Sequence, residues 1–136
     1  MILGYTSGVF DMFHIGHLNI LRNAKGLCDK LIVGVSTDEL VEKYKGSKPR
    51  IPFHERMAIL SNLGFIDIVV TQSTIDKFEI WKRIKFDVFV MAEDWIETKG
   101  RKEQINKLKR VGVRTYLLPR TPNISTTILK NGNTDS

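Results

Sequence analysis

Apolar residues along this chain fall into two kinds of pattern: compact runs, and stretches in which they recur every three or four positions. The compact runs, at residues 2–5, 31–35, 65–70, 88–91 and 115–118, are strand-sized. Helical spacing fills most of the gaps between them. Leu18, Leu21, Ala24 and Leu27 mark one helix face within 17–27, and similar stretches cover 53–63, 75–84 and 103–111. Strand and helix therefore alternate, which predicts an α/β domain on a parallel sheet of about five strands flanked by helices. Right-handed crossovers place the C-terminal ends of the strands along one edge, where ligands bind in such sheets. No internal repeat or low-complexity segment interrupts the alternation. Residues 1–130 are expected to form a single domain and 131–136 a disordered tail.

The first strand leads directly into the densest local chemistry. It is expected to end near Ser7, the chain turns through Gly8, and His14-Ile15-Gly16-His17 then opens the first helix. Unsatisfied N–H groups and the positive end of the helix dipole meet there. Gly16 has no Cβ, so a phosphate can approach the backbone closely, and two imidazoles three residues apart can donate to the oxygens of that same anion. A single histidine near a helix start is ordinarily a cap or a solvated side chain; the constellation is what points to a phosphate site. Neither a Walker loop nor a Gly-x-Gly-x-x-Gly fingerprint is present. A zinc site is disfavoured, since only His54 and Cys28 remain as further nitrogen or sulfur ligands and no paired cysteine spacing exists.

Charge changes the picture only in part. Twenty-one Lys and Arg against fifteen Asp and Glu give a net charge of +6 over 136 residues, which favours an anionic partner without choosing among nucleotide, nucleic acid and membrane. Basic residues gather at 43–50 and 101–110. The second group suits a solvated helix face, with Ile105, Leu108 and Val111 on its buried side. Residues 43–52, basic and glycine-containing between helical segments, suit either a flap closing over phosphates or an ordinary surface loop. A nucleic-acid-binding module would want aromatic residues interleaved with the basic ones, and these are missing. One cysteine excludes a disulfide within the chain, no apolar run approaches the ~20 residues of a membrane span, and no basic stretch leads into an apolar signal segment. A cytoplasmic protein is expected.

Gly8-Val9-Phe10-Asp11 followed by His14-Ile15-Gly16-His17 resembles the nucleotidyltransferase superfamily marked by an HxGH motif. Three later segments narrow the resemblance to the cytidylyltransferases: Glu55-Arg56 in a helical stretch, the run from Val90 to Trp95, and the run from Arg120 to Thr127. Their order and spacing are most similar to those of the bacterial glycerol-3-phosphate branch, from about residue 4 to residue 130. The resemblance implies a Rossmann-like nucleotidyltransferase fold and transfer of CMP from CTP to a small phosphorylated alcohol. With sn-glycerol 3-phosphate the products would be CDP-glycerol, a cell-wall or polysaccharide precursor, and pyrophosphate.

The same resemblance implies roles for individual residues. His14, His17, Lys45 and Arg120 would be catalytic. Val9, Phe10, Asp11, Gly16, Asp67, Asp94, Trp95, Thr121, Ser125 and Thr126 would contact the nucleotide. Lys43, Lys48, Arg56 and Lys77 would contact the acceptor, and Lys43 and Lys48 rival Lys45 as the bridge between the two phosphates. Read from the residues alone, Arg56 could equally be a helix-surface ion pair, Asp67 a turn residue interrupting a strand and Asp11 an Asx turn or cap. Magnesium is expected with the triphosphate on chemical grounds, and a homodimer from the family's habit. The chain also departs from the glycerol phosphate branch. Val9 stands where Thr is usual, Pro122-Asn123 replaces Glu-Gly, Ile75 falls near a Trp position, and the basic loop is one residue longer. Val9 and Lys45-Gly46 lean toward phosphocholine or phosphoethanolamine as acceptor, and related adenylyltransferases use ATP.

Overall fold

In the computed structural model, which describes residues 1–92 and 100–119, five parallel strands form one sheet in the order β3-β2-β1-β4-β5. The strands are β1 (Leu3–Gly8), β2 (Lys30–Ser36), β3 (Ile68–Gln72), β4 (Val88–Ala92) and β5 (Arg114–Leu118). Between them run α1 (Ile15–Lys25), α2 (Asp38–Lys45), α3 (Phe53–Ser61), α4 (Lys77–Ile84) and α5 (Arg101–Arg110).

Strand alternation explains why both sheet faces are covered. Leu31, Val33 and Val35 of β2, with Val88 and Val90 of β4, join Leu21 and Ala24 of α1 and Leu60 of α3 in one core layer. Tyr5, Ile32, Phe89 and Met91 point to the opposite face, against Ile80 of α4 and Ile105 and Leu108 of α5. Leu21, Leu60 and Leu108 are fully buried; truncating any one to Ala typically costs about 2–5 kcal/mol. Tyr5 stacks on Phe86 at 5.2 Å, and its hydroxyl occupies the space that a Cβ on Gly34 would need. No helix among the described residues is long and apolar enough to cross a membrane.

The strand order contains a switch point. The chain moves from β1 outward to β2 and β3, then returns across the sheet to β4 and β5, so the loops that follow β1 and β4 leave neighbouring strands toward opposite faces. A crevice at such a point is the ligand site of open α/β sheets.

Two elements differ from the pattern of apolar positions. β3 begins at Ile68 rather than at residue 65, because Ile66 and Phe65 are drawn into the layer beneath α1 and α3, and the Asp67 N–H donates to the Leu31 carbonyl at 3.1 Å. The helix before the basic segment, α2, extends into its start. The Thr37 hydroxyl caps it by accepting the Leu40 N–H at 3.1 Å, Asp38 and Glu39 sit in its first turn, and Gly46 ends it at φ 88. Lys43 and Lys45 therefore stand on its last turn, and the loop proper is 46–52.

Candidate active site

The loop from β1 to α1 is bent tightly. Phe10 and Met12 have φ of 55 and 50, the left-handed region, at a cost of order 1 kcal/mol or more each. The burial of Val9 and Phe10 in the core holds this conformation. It delivers His14 to the N-cap of α1 in an extended conformation. His14 Nδ1 accepts the Gly16 N–H at 3.0 Å, and His17 Nδ1 accepts the His14 N–H at 3.1 Å. This reciprocal arrangement is a capping box in which imidazoles take the places usually held by Ser or Thr and Glu. Because each Nδ1 is an acceptor, the proton of each neutral ring resides on Nε2, which makes Nε2 the donor. The two rings are 4.0 Å apart. His17 is buried between Phe10 and Phe13, at 5.8 and 5.3 Å, whereas His14 is only half-buried. The pair is thus held on its Nδ1 side, with the His17 ring enclosed and the His14 ring partly exposed.

Asp11 is fully buried, and its two carboxylate oxygens accept the N–H groups of Arg50 and Ile51 at 2.8 and 2.9 Å. That latches the end of the basic loop to the histidine turn. Arg56, expected to contact the acceptor, completes the latch by bonding to protein groups. Its guanidinium is entirely enclosed. Nε donates to the Ile51 carbonyl at 2.9 Å, Nη1 to the Val9 and Ser36 carbonyls at 2.8 Å each, and Nη2 pairs with Asp38. It is not a surface ion pair: it is a strut joining the ends of β1 and β2, the start of α2 and the loop.

The structure corrects the expectation for Asp67. It precedes β3, so it lies at the N-terminal edge of the sheet, opposite the histidines, where its carboxylate accepts from the Lys25 ammonium at 2.7 Å and the Leu31 N–H at 2.8 Å. These partners hold its carboxyl below the usual carboxylate range. It does not reach the nucleotide edge.

The lysines behave differently from one another. Lys43, Lys45 and Lys48 are all exposed, and Lys43 and Lys45, two apart on the last turn of α2, leave it from different faces. Lys45 Nζ lies 6.0 Å from the Tyr44 ring. Lys77, the first residue of α4 and so just beyond the C-terminal end of β3, is buried; its Nζ donates to the Ile75 carbonyl at 3.1 Å and its N–H to Gln104 at 2.8 Å. Burial, with Arg101 adding repulsion, pushes the Lys77 ammonium down to about 7. Arg101, which the basic run 101–110 places on a solvated face, is buried as well. Asp94, Trp95, Arg120, Thr121, Ser125 and Thr126 lie outside the described residues; β4 and β5, which precede these segments, both end on the histidine edge. No group of three His, Cys, Asp or Glu stands close enough to hold a metal ion among the described residues.

Comparison with known proteins identifies the family. Residues 5–132 match a family model described as cytidylyltransferase-like. The chain is 36% identical to a glycerol-3-phosphate cytidylyltransferase of Bacillus spizizenii over 126 residues, 92% of each protein. It is 34% identical to an FAD synthase of Thermococcus sibiricus, covering 84% of this chain and 78% of the relative. It is also 39% identical over 94 residues to the bifunctional protein HldE of Paramagnetospirillum magneticum, covering 68% of this chain and only 19% of that longer protein. Among solved structures, the lipopolysaccharide core biosynthesis protein of Thermoplasma volcanium superposes with a TM-score of 0.71 at 25% identity, over 89% of this chain and 97% of that one.

Proposed function

The chain belongs to the cytidylyltransferase-like family, and on that premise we propose that it transfers CMP from CTP to a small phosphorylated alcohol, with sn-glycerol 3-phosphate the favoured acceptor. The family is enzymatic, and the relatives named above are nucleotidyltransferases. The observation that carries the reading is the histidine capping box at the switch point, supported by the glycerol-3-phosphate relative that matches over nearly its whole length.

In the proposed reaction an oxygen of the acceptor phosphate attacks the α-phosphorus of CTP, a new P–O bond forms, and the bond to the leaving pyrophosphate breaks. The protein's task is to align two anions and to stabilise charge as it moves onto the leaving group. Nε2–H of His14 and of His17 would donate to α- and β-phosphate oxygens, with the first N–H groups of α1 beside them. One of the lysines near the basic loop would bridge the phosphates, and Arg120, Thr121, Ser125 and Thr126 would grip the triphosphate. Magnesium would enter as part of the CTP complex, since Asp11, the carboxylate nearest the histidines in sequence, is occupied by the Arg50 and Ile51 N–H groups. A cytoplasmic homodimer completes the proposal; sedimentation giving the mass of one chain would count against the dimer.

A second reading keeps the mechanism and uses ATP. It is favoured by the FAD synthase relative, whose product carries an adenylate. Val9 and the Lys45-Gly46 pair likewise keep phosphocholine and phosphoethanolamine in play as acceptors. Pyrophosphate release measured with each of the four nucleoside triphosphates against a panel of phosphorylated alcohols separates these readings. CTP with sn-glycerol 3-phosphate is the expected pair, and turnover with ATP but not CTP overturns it.

A further inference from the structure

We propose that Thr6 is a positioning residue of the transfer reaction: its hydroxyl pins a fork between the ends of β1 and β4, and so fixes the histidine turn relative to the segment that follows β4. The fork is visible in the strand pairing. β1 stays in register with β2 along its whole length, from Leu3↔Lys30 to Gly8↔Val35, and β4 stays with β5 as far as Ala92↔Leu118. Between β1 and β4 the register runs only through Gly4↔Val88 and Tyr5↔Phe89. The C-terminal halves of these two neighbours therefore part, each held by its outer partner.

Thr6 sits at the parting. Continuing the register would set Thr6 against Val90, where a parallel ladder would give the Val90 carbonyl an N–H of β1. That carbonyl instead accepts the Thr6 hydroxyl at 2.7 Å. Thr6 is 3% exposed and Val90 is fully buried, so water does not compete for the bond, and losing its donor would strand a buried carbonyl. A side-chain bond in place of a ladder bond keeps the strands joined while holding their backbones apart. Threonine suits the task, because its branched Cβ restricts χ1 and with it the direction of the hydroxyl.

Position gives the pin its consequence. Past the fork, β1 leads into Val9, Phe10 and the His14-His17 capping box, and β4 leads toward Asp94 and Trp95 in the chain. These are the two strands whose loops leave the switch point toward opposite faces. A change in the fork shifts the histidine Nε2 atoms relative to everything carried on the β4 side. In-line transfer is sensitive to such shifts: a misplacement of about 1 Å can cost ~10²-fold in rate. Thr6 touches no ligand in this scheme and acts through the two strand ends.

This inference rests on the nucleotidyl-transfer reading, and the experiment separates the two. Full-length wild type, Thr6→Val and Thr6→Ser are compared in steady-state kinetics, with whichever nucleotide and acceptor the wild type turns over, beside thermal unfolding and amide exchange. Valine keeps the shape and loses the hydroxyl; serine keeps the hydroxyl and loses a methyl. Both variants are expected to have a lower Tm. Only Thr6→Val should slow kcat, by about 10-fold or more, with Thr6→Ser within about twofold of wild type. A kcat near wild type in Thr6→Val, or equal losses in both variants, overturns the inference. Amide exchange at Ser7, Gly8, Met91 and Ala92 should accelerate about 10-fold or more in Thr6→Val and much less in Thr6→Ser. If the wild type turns over no substrate pair, the transfer reading fails and exchange alone decides the pin: the same split supports it, and equal exchange in the two variants sinks it. If Thr6→Val does not fold, Thr6→Ala against Thr6→Ser, a pair that differs only in the hydroxyl, carries the same comparisons.

Discussion

His14 and His17 hold each other's place: His14 Nδ1 accepts the Gly16 N–H at 3.0 Å, and His17 Nδ1 accepts the His14 N–H at 3.1 Å. One ring nitrogen of each is thereby structural and the other is chemical, so the two roles can be removed separately. Asparagine places an acceptor near Nδ1 and nothing at Nε2, and it is also a good N-cap. His14→Asn and His17→Asn are expected to slow turnover by ~10²-fold or more, a barrier rise near 3 kcal/mol, while Tm stays close to wild type. Kinetics beside thermal unfolding checks this. Near-wild-type turnover in either variant removes that histidine from the mechanism.

Arg56 should be a stability residue before it is an activity residue. Arg56→Met strands the Val9, Ser36 and Ile51 carbonyls and deprives Asp38 of its partner. Breaking a buried pair of this kind costs about 3–5 kcal/mol. Urea unfolding should show the loss, and Arg56→Lys should recover little of it, because one ammonium cannot span four acceptors. A variant within about 1 kcal/mol of wild type would contradict the strut.

Asp11→Ala should loosen the basic loop specifically. The N–H groups of Arg50 and Ile51 lose their acceptors. Amide exchange at these two positions is expected to accelerate about 10-fold or more while the β1 and β2 amides keep their protection. Uniform acceleration across the sheet would instead mean global destabilisation.

Gly34→Ala should destabilise by about 1–3 kcal/mol, because the new methyl overlaps the hydroxyl and ring of Tyr5. Adding Tyr5→Phe removes the hydroxyl, though it also leaves Gln72 Oε1 without that donor, so a double-mutant cycle should show partial rescue. Strict additivity would show that the two residues do not collide.

Asp67 carries a pH signature in place of a catalytic one. Its folded carboxyl is lowered by Lys25 and by the Leu31 N–H. The stability it contributes is therefore present above its unfolded value near 3.9 and is lost as pH falls through the lower folded value. Asp67→Asn is expected to leave turnover unchanged and to be less stable than wild type at neutral pH, with the gap closing at acid pH. Turnover slowed by about 10-fold or more would return Asp67 to the active site.

Much of this architecture is legible in the sequence because its signals are local. Period-two and period-three-to-four patterning mark the alternation of strand and helix, and chain order then puts His14-Ile15-Gly16-His17 just after β1. The start and stop signals of α2, Thr37-Asp38-Glu39 and Lys45-Gly46, are present too; a short apolar pair, Leu40 and Val41, hides them. What tertiary structure decided was pairing across distance. Family resemblance puts Asp67 among the nucleotide contacts, yet β3 starts at Ile68, and that places Asp67 on the far edge of the sheet. Nothing near Arg56 in sequence announces the carbonyls of Val9 and Ser36, 47 and 20 residues away, that bury it. Nor does the basic run at 101–110 distinguish Arg101, whose burial beside Lys77 exists only because α4 and α5 pack on the same sheet face. Spacing along a chain specifies which residues share a helix face or a strand edge; which charges meet is set by strand order and crossover, and those follow from burying both faces of the sheet at once.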